Sequence, residues 1–344
     1  MNTTFVLVGW LAAAFLLAAV LARLAIGYAL GHGLLDLPGQ RRSHYVVTPR
    51  GGGIGIVAAV LVCVPGALFS LGWVPLSGGT LLSAAGALLL VALTGWWDDH
   101  RSLPVLPRLG AHVLAVAWFS LALLGATVSW WWLPLLLLAG VWSINLHNFM
   151  DGIDGILAQQ TVFVAVGLAA LAWTVQLPGL VIGAAVLAAA ALGFWCYNRP
   201  PARIFMGDVG SGSLGLLIFA GSAMLWRADQ ALLWPALILS SAFVTDASLT
   251  LLTRMYTGRR WYAAHREHLY QWLVRCGRTH ARVDGGYFAW NILIAAPFAW
   301  LAWSHLRIAL PITIVTYLAA SALWLTLKRR CLRRQLLRAR HVTA

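Results

Sequence analysis

Long apolar stretches separated by short polar islands run through nearly all of the 344-residue chain. Eleven of them, at 4–26, 54–72, 80–96, 108–127, 131–147, 157–176, 178–196, 212–226, 231–253, 286–304 and 308–327, approach the ~20 apolar residues a helix needs to cross a bilayer. In lipid every backbone polar group must be satisfied internally, and these runs are too long for barrel strands. The pattern therefore predicts an all-α polytopic membrane protein, a bundle of about ten or eleven transmembrane helices. Residues 1–327 read as one transmembrane domain and 328–344 as a basic tail. The first stretch reads as a spanning helix, not a cleaved leader. Pro134 and Pro235 are expected to start or kink helices.

Composition sharpens this picture. The chain is 61% apolar and only 10% charged, against roughly 25% charged in soluble domains. A soluble globular enzyme, a disordered chain and a collagen-like fibre are excluded. The net charge of +14 is explained by topology and not by nucleic acid. All 24 Lys and Arg except Arg227 and Arg307 lie in loops after odd-numbered stretches, at the ends of stretches bordering those loops, or in the tail. That side is expected to be cytoplasmic, with the N-terminus outside. The tail KRRCLRRQLLRAR reads as a basic helix on the inner leaflet. The four cysteines show no CxxC pairing and suggest no disulfide framework.

Acidic residues contribute little to topology, yet most share the same side, in five islands. The first, DLPGQRRSHYVVTPRGGG from Asp36, supplies Arg41, Arg42, His44 and Arg50 as phosphate donors, or is a topology loop leading flexibly into a helix; both readings stay open. The second, WWDDHRSLPVLPR, holds Asp98 and Asp99, whose repulsion a divalent metal or a cation such as Arg101 would relieve. In the third, NLHNFMDGIDGI, Asn145 and Asn148, and then Asp151 and Asp154, recur at a spacing that shares one helical face. The fourth, YNRPPARIFMGDVGSGS, sets Asp208 between glycines at the start of a span, as a metal ligand or a helix cap. The fifth carries His265, Arg266, Glu267 and His268 among many arginines and suits a diphosphate. Zinc on His265, His268, Cys276 and His280 has the ligand types but fits no common finger spacing. Asp246, inside the ninth stretch, is functional by position or orients groups at its mouth.

Carboxylates for metal, an arginine-rich cup and direct access to lipid suit phosphoryl transfer between a soluble nucleotide and a membrane-embedded phosphate. The competing class is a polytopic transporter or flippase for a lipid-linked or anionic sugar, but transporters usually place ionisable groups near the midplane.

The five islands, in this order over residues from about 30 to 285, resemble those of the polyprenyl-phosphate N-acetylhexosamine-1-phosphate transferases. The resemblance implies a bundle of ten or eleven helices, often dimeric, with a cytoplasmic cleft in a bacterial inner membrane. It implies transfer of an N-acetylamino-sugar 1-phosphate from a UDP-sugar to undecaprenyl phosphate, with release of UMP and start of a lipid-linked glycan. Mg²⁺, or Mn²⁺ in its place, is the implied cofactor. By motif position, Asp98 and Asp99 match the paired acids, the first a base toward the lipid phosphate. Asp99 and Asp208 are the implied metal ligands. Asn148, Asp151 and Asp154 match the motif lining the nucleotide cleft, and Asn198 and Phe205 positions near the uracil. His265, Arg266 and His268 match the loop contacting the sugar diphosphate, and Arg42, His44, Arg50 and Arg101 stand as further substrate-binding cations and donors. Ser102 replaces a frequent third acid, and the cations near the pair are Arg42 and Arg101 in place of lysines. The fifth motif lacks the consecutive histidines of the muropeptide enzymes, and its HxxH form is closer to the O-antigen-initiating branch.

Overall fold

A computed structural model of the chain describes residues 3–37, 46–73, 78–125, 129–260 and 265–343. In chain order its helices are α1 (Thr3–His32), α2 (Ile54–Ser70), α3 (Gly78–His100), α4 (Val105–Leu124), α5 (Leu133–Met150), α6 (Ile156–Thr174) and α7 (Pro178–Asn198). They continue with α8 (Asp208–Ala228), α9 (Leu233–Leu239), α10 (Ser241–Tyr256), α11 (Leu269–Arg275), α12 (His280–Trp290), α13 (Ala296–Ser304) and α14 (Ala309–Thr343). A π-helical turn at Asn291–Ala295 joins α12 to α13 in a single apolar span. Strands β1 (Leu35–Asp36) and β2 (Thr48–Pro49) pair antiparallel, with Leu35 opposite Pro49.

Among the described residues nine helical spans are long and apolar enough to cross a membrane. The bent pair α9–α10 makes a tenth, and the apolar α2 is shorter. Together they follow the eleven apolar stretches in order, and the chain is an all-α polytopic membrane protein. Pro134 stands in the first turn of α5, where its missing N–H costs nothing.

Three boundaries differ in ways that bear on function. α3 runs on to His100, so Asp98 and Asp99 ride on its last turn. α8 begins at Asp208, four residues before the apolar stretch. The ninth span is not one straight helix: it turns by 78° between α9 and α10. Such a break survives in lipid only if its freed carbonyls find partners inside the protein. Here Tyr317 donates to the Leu237 carbonyl (2.9 Å), Gln160 to that of Leu239 (3.3 Å) and Thr313 to that of Trp234 (3.3 Å).

α8 is the buried centre of the bundle, packed against α3, α5 and α6. Small residues bring backbones together where lipid supplies no hydrophobic drive between helices. A Cβ on Gly95 would lie 2.4 Å from the Asp208 carbonyl oxygen, and one on Gly215 2.6 Å from that of Ser143. Those two contacts set α8 against α3 and α5. On the other side Ala14, Ala18 and Ala22 form the buried stripe of α1, and Gly193 of α7 abuts the Phe15 carbonyl.

Candidate active site

The site forms where four polar islands meet at the start of α8. Phe205 N–H donates to the Pro49 carbonyl (2.8 Å), Gly52 N–H to Phe205 (3.0 Å) and Gly53 N–H to Met206 (2.9 Å). The TPRGGG segment is thereby laced to the IFMGD segment. Gly210 meets Gly53 so closely that a Cβ on Gly210 would lie 2.7 Å from the Gly53 Cα.

From α3, Asp99 reaches over the α8 N-terminus. It accepts from the backbone N–H of Asp208 and of Val209, each at 3.1 Å. These are orphan donors of a helix start, and an anion there is also favoured by the helix dipole. Asp99 is 2% exposed, and both of its oxygens are engaged by α8. The acid expected to ligate metal acts here as a cap supplied by a neighbouring helix, which aims Asp208. Gly207 makes this possible: its φ is +75°, and a Cβ would lie 2.6 Å from an Asp99 oxygen and 2.9 Å from the Gly51 nitrogen. Arg50 donates to the Asp99 carbonyl, and its Nε lies 4.0 Å from Asp99 Oδ1.

The cation that answers the acids is Arg108. Its Nη1 lies 2.6 Å from Asp98 Oδ2 and 3.3 Å from Asp208 Oδ2. The other Asp98 oxygen accepts from Leu103 N–H. Asn148 of α5 donates to Asp208 Oδ1 (2.9 Å) and to Ser211 (3.0 Å). The Asp208 side chain remains 32% exposed, against 9% for Asp98. Arg101, the cation expected near the pair, is exposed and makes no ion pair among the described residues. Arg108 was hidden from sequence reasoning because it lies past Pro104 and Pro107, one turn into α4. Only its place at the end of the acidic island signalled it.

Asp151 follows α5 directly. Burial and the charges of Asp208, Asp99 and Asp154 push its carboxyl well above the usual carboxylate range. An acid so crowded by like charge is a natural ligand for a hard divalent cation. Among the described residues, three such donors are not already gathered at metal distance. The oxygen chemistry of Asp151 and Asp208 nonetheless fits Mg²⁺, with Arg108 now standing between Asp208 and Asp98.

Asp154 turns away toward the fourth island. It accepts from Ala202 N–H (3.1 Å) and pairs with His280 Nδ1 (3.1 Å). Asn198 is buried, its oxygen accepting from Gly155 N–H (3.1 Å) and its amide donating to the Ile204 carbonyl (2.9 Å). Expected beside the uracil, it is in this structure a strut between two loops. Phe205 is half-buried on the same loop. Arg42 and His44 lie outside the described residues.

The fifth island docks on the third. Tyr270 donates to the Phe149 carbonyl (2.9 Å), and a Cβ on Gly152 would come within 2.1 Å of the Tyr270 hydroxyl. His268, 3% exposed, has ring neighbours in His265 (4.9 Å), Tyr270 (5.8 Å) and Phe149 (6.2 Å). Burial, with the charges of His268 and Arg254 nearby, pulls His265 down to about 4; burial likewise lowers His268. Both imidazoles are neutral at physiological pH. Arg266 lies beside them, its carbonyl accepting from Arg275. Glu267 is held by Arg254 (2.5 Å) and Arg259 (3.0 Å). The four potential zinc ligands do not gather: His265 and His268 stay together, but His280 pairs with Asp154 and Cys276 lies beside Cys331.

Asp246 is the organiser beneath this cup. It is 1% exposed and accepts from Leu269 N–H (2.7 Å), Tyr270 N–H (3.3 Å), Tyr287 (2.7 Å), Trp324 (2.8 Å) and Thr250 (3.3 Å). It caps α11 and ties it to α12 and α14.

The model of glycosyl transferase family 4 matches residues 81–226, which span the acids from α3 to α8. The decaprenyl-phosphate N-acetylglucosaminephosphotransferase of Mycolicibacterium smegmatis is 30% identical over 81% of this chain and 79% of its own length. The probable undecaprenyl-phosphate N-acetylglucosaminyl 1-phosphate transferase of Bacillus subtilis is 30% identical over 73% of each. A phospho-N-acetylmuramoyl-pentapeptide-transferase of Moorella thermoacetica is 36% identical over 52% of this chain and 62% of its own length. The chain belongs to glycosyl transferase family 4, the polyprenyl-phosphate N-acetylhexosamine-1-phosphate transferases.

Proposed function

We propose that the protein transfers an N-acetylamino-sugar 1-phosphate from its UDP-sugar to undecaprenyl phosphate, releasing UMP and starting a lipid-linked surface glycan such as O-antigen. The observation that carries this reading is the Asp98–Arg108–Asp208–Asn148 chain at the N-terminus of a central membrane helix. The one-sided placement of Lys and Arg supports a site on the cytoplasmic face of an inner membrane.

In the reaction, an oxygen of the lipid phosphate attacks the phosphorus that carries the sugar. The bond from that phosphorus to the bridging oxygen breaks, and UMP leaves with the electron pair. Two anions must meet, so charge neutralisation and positioning carry most of the rate. Asp151 and Asp208 would hold Mg²⁺ or Mn²⁺, which when bound would supply positive charge to the diphosphate. Arg108 is the protein's own cation at that point, and Asp98 fixes it. A phosphate monoester has its second pKa near ~6, so the nucleophile is already largely ionised at neutral pH. Asp98 on this reading orients Arg108 and need not remove a proton. The neutral His265 and His268 offer ring N–H donors to the sugar diphosphate, together with Arg266. Phe205 and Asn148 line the nucleotide side of the cleft.

N-acetylglucosamine, which the names of several relatives carry, is the first sugar to test; the HxxH motif also admits N-acetylfucosamine and N-acetylquinovosamine. The test is UMP release by purified protein given undecaprenyl phosphate, Mg²⁺ and each UDP-sugar in turn. Release that requires lipid, metal and one donor supports the reading. A folded protein that binds UDP-sugar yet releases no UMP with any donor contradicts it.

A further inference from the structure

A cavity of about 120 Å³ opens between α10, α11, α12 and α14, apart from Asp98, Asp151 and Asp208. Its lining takes nothing from α3, α4, α5 or α8, which carry Asp98, Arg108, Asn148 and Asp208.

Two facing helical stripes form its walls. On α12 they are Val283, Gly286, Tyr287 and Trp290; on α14, Ala320, Leu323, Trp324 and Leu327. Each set steps at i, i+3, i+4 and i+7, a groove roughly 10 Å long at 1.5 Å per residue. It runs along the helix axes, as a lipid chain does. Leu323 is 44% exposed, and a Cβ on Gly286 would meet nothing within 4 Å. The groove is open where lipid surrounds the bundle.

Charge stands at one end only. Arg278, just before α12, and Arg282, in its first turn, line the mouth. Both are exposed, and neither makes an ion pair among the described residues. The contact of Cys276 with the Cys331 carbonyl sets this mouth beside the basic run of α14. Asp246, the one acid of the lining, has its oxygens filled by donors from four elements.

We propose that this groove binds an anionic phospholipid of the surrounding bilayer, its phosphate on Arg278 and Arg282 and one acyl chain between α12 and α14. A basic pocket between spans at the cytoplasmic end is the expected receptor for such a headgroup, and the buried methylenes add binding along the stripe. The lipid is distinct from the acceptor, whose phosphate must reach Asp208. It contacts α11 through Leu269 and Leu273, which line the groove. The proposal rests on the membrane fold and not on the reading of the reaction.

The test is native mass spectrometry of the full chain in mild detergent, titrated with phosphatidylglycerol or phosphatidylcholine. Wild type retains one phosphatidylglycerol in preference to phosphatidylcholine. Arg278→Ala/Arg282→Ala weakens that retention about tenfold or more, and Gly286→Trp, which fills the groove, abolishes it. Arg329→Ala/Arg330→Ala, beyond the cavity lining, leaves it in place. Equal retention in the groove variants, equal retention of the zwitterionic lipid, or a second copy of the chain covering the groove without lipid would overturn the proposal.

Discussion

Asp99 and Asp208 are joined through the backbone: the carboxylate of the first receives the N–H of the second at 3.1 Å. One acid of the signature pair thus builds the platform on which another acid is displayed. Asp99→Ala should cost about 1–2 kcal/mol, as loss of a helix cap does, and should abolish turnover as well. Asp208→Asn should leave stability within about 0.5 kcal/mol. Thermal unfolding of both variants in one detergent checks the difference. Equal melting temperatures for Asp99→Ala and wild type would remove the capping role.

Arg108 bridges two acids that would otherwise repel one another. Arg108→Ala should lower kcat/KM by roughly 10²–10³, the cost of removing a preorganised charge. Arg108→Lys should recover part of it, since lysine restores the charge but not the planar fork. Steady-state UMP release measures both.

The fit of Tyr270 over Gly152 couples the loop carrying His265 and His268 to the α5 terminus. Gly152→Ala should push Tyr270 off and raise KM for the UDP-sugar about tenfold or more, because overpacking displaces a docked element. Tyr270→Phe, which loses only the hydrogen bond to Phe149, should cost about 1 kcal/mol. A Gly152→Ala enzyme with unchanged KM would show that the two islands act independently.

His265 titrates near 4 in the folded protein, below the ~6.5 of an unfolded chain. Between these values the unfolded state holds the extra proton, so stability rises with pH across that window. The contribution is complete above about 6.5 and is lost as pH falls toward 4. Hydrogen exchange at α11 as a function of pH should show loosening below pH 6, and His265→Gln should flatten that dependence.

Much of this was legible in the sequence, for identifiable reasons. Lipid fixes the length of a span, so eleven apolar stretches became helices in order, and the described parts of four islands came together at the start of α8. What escaped depends on partners distant along the chain. The 78° turn near Ser240 carries no glycine or proline at the break itself, and Tyr317 and Gln160 stabilise it from other helices. Asn198 marks itself as polar, but only the fold reveals that both ends of its amide are spent on Gly155 and Ile204. Arg108 counted as one more topology charge until α4 carried it back over Asp98.

On the proposed function, the sugar phosphate changes hands at Asp208, aimed by Asp99 and balanced by Arg108. The most direct measurement is the rate of UMP release by Asp208→Asn beside wild type, each with undecaprenyl phosphate, Mg²⁺ and the active donor, and each shown to melt at the same temperature. The account predicts a loss of at least roughly 10³. A folded variant turning over at the wild-type rate would contradict it.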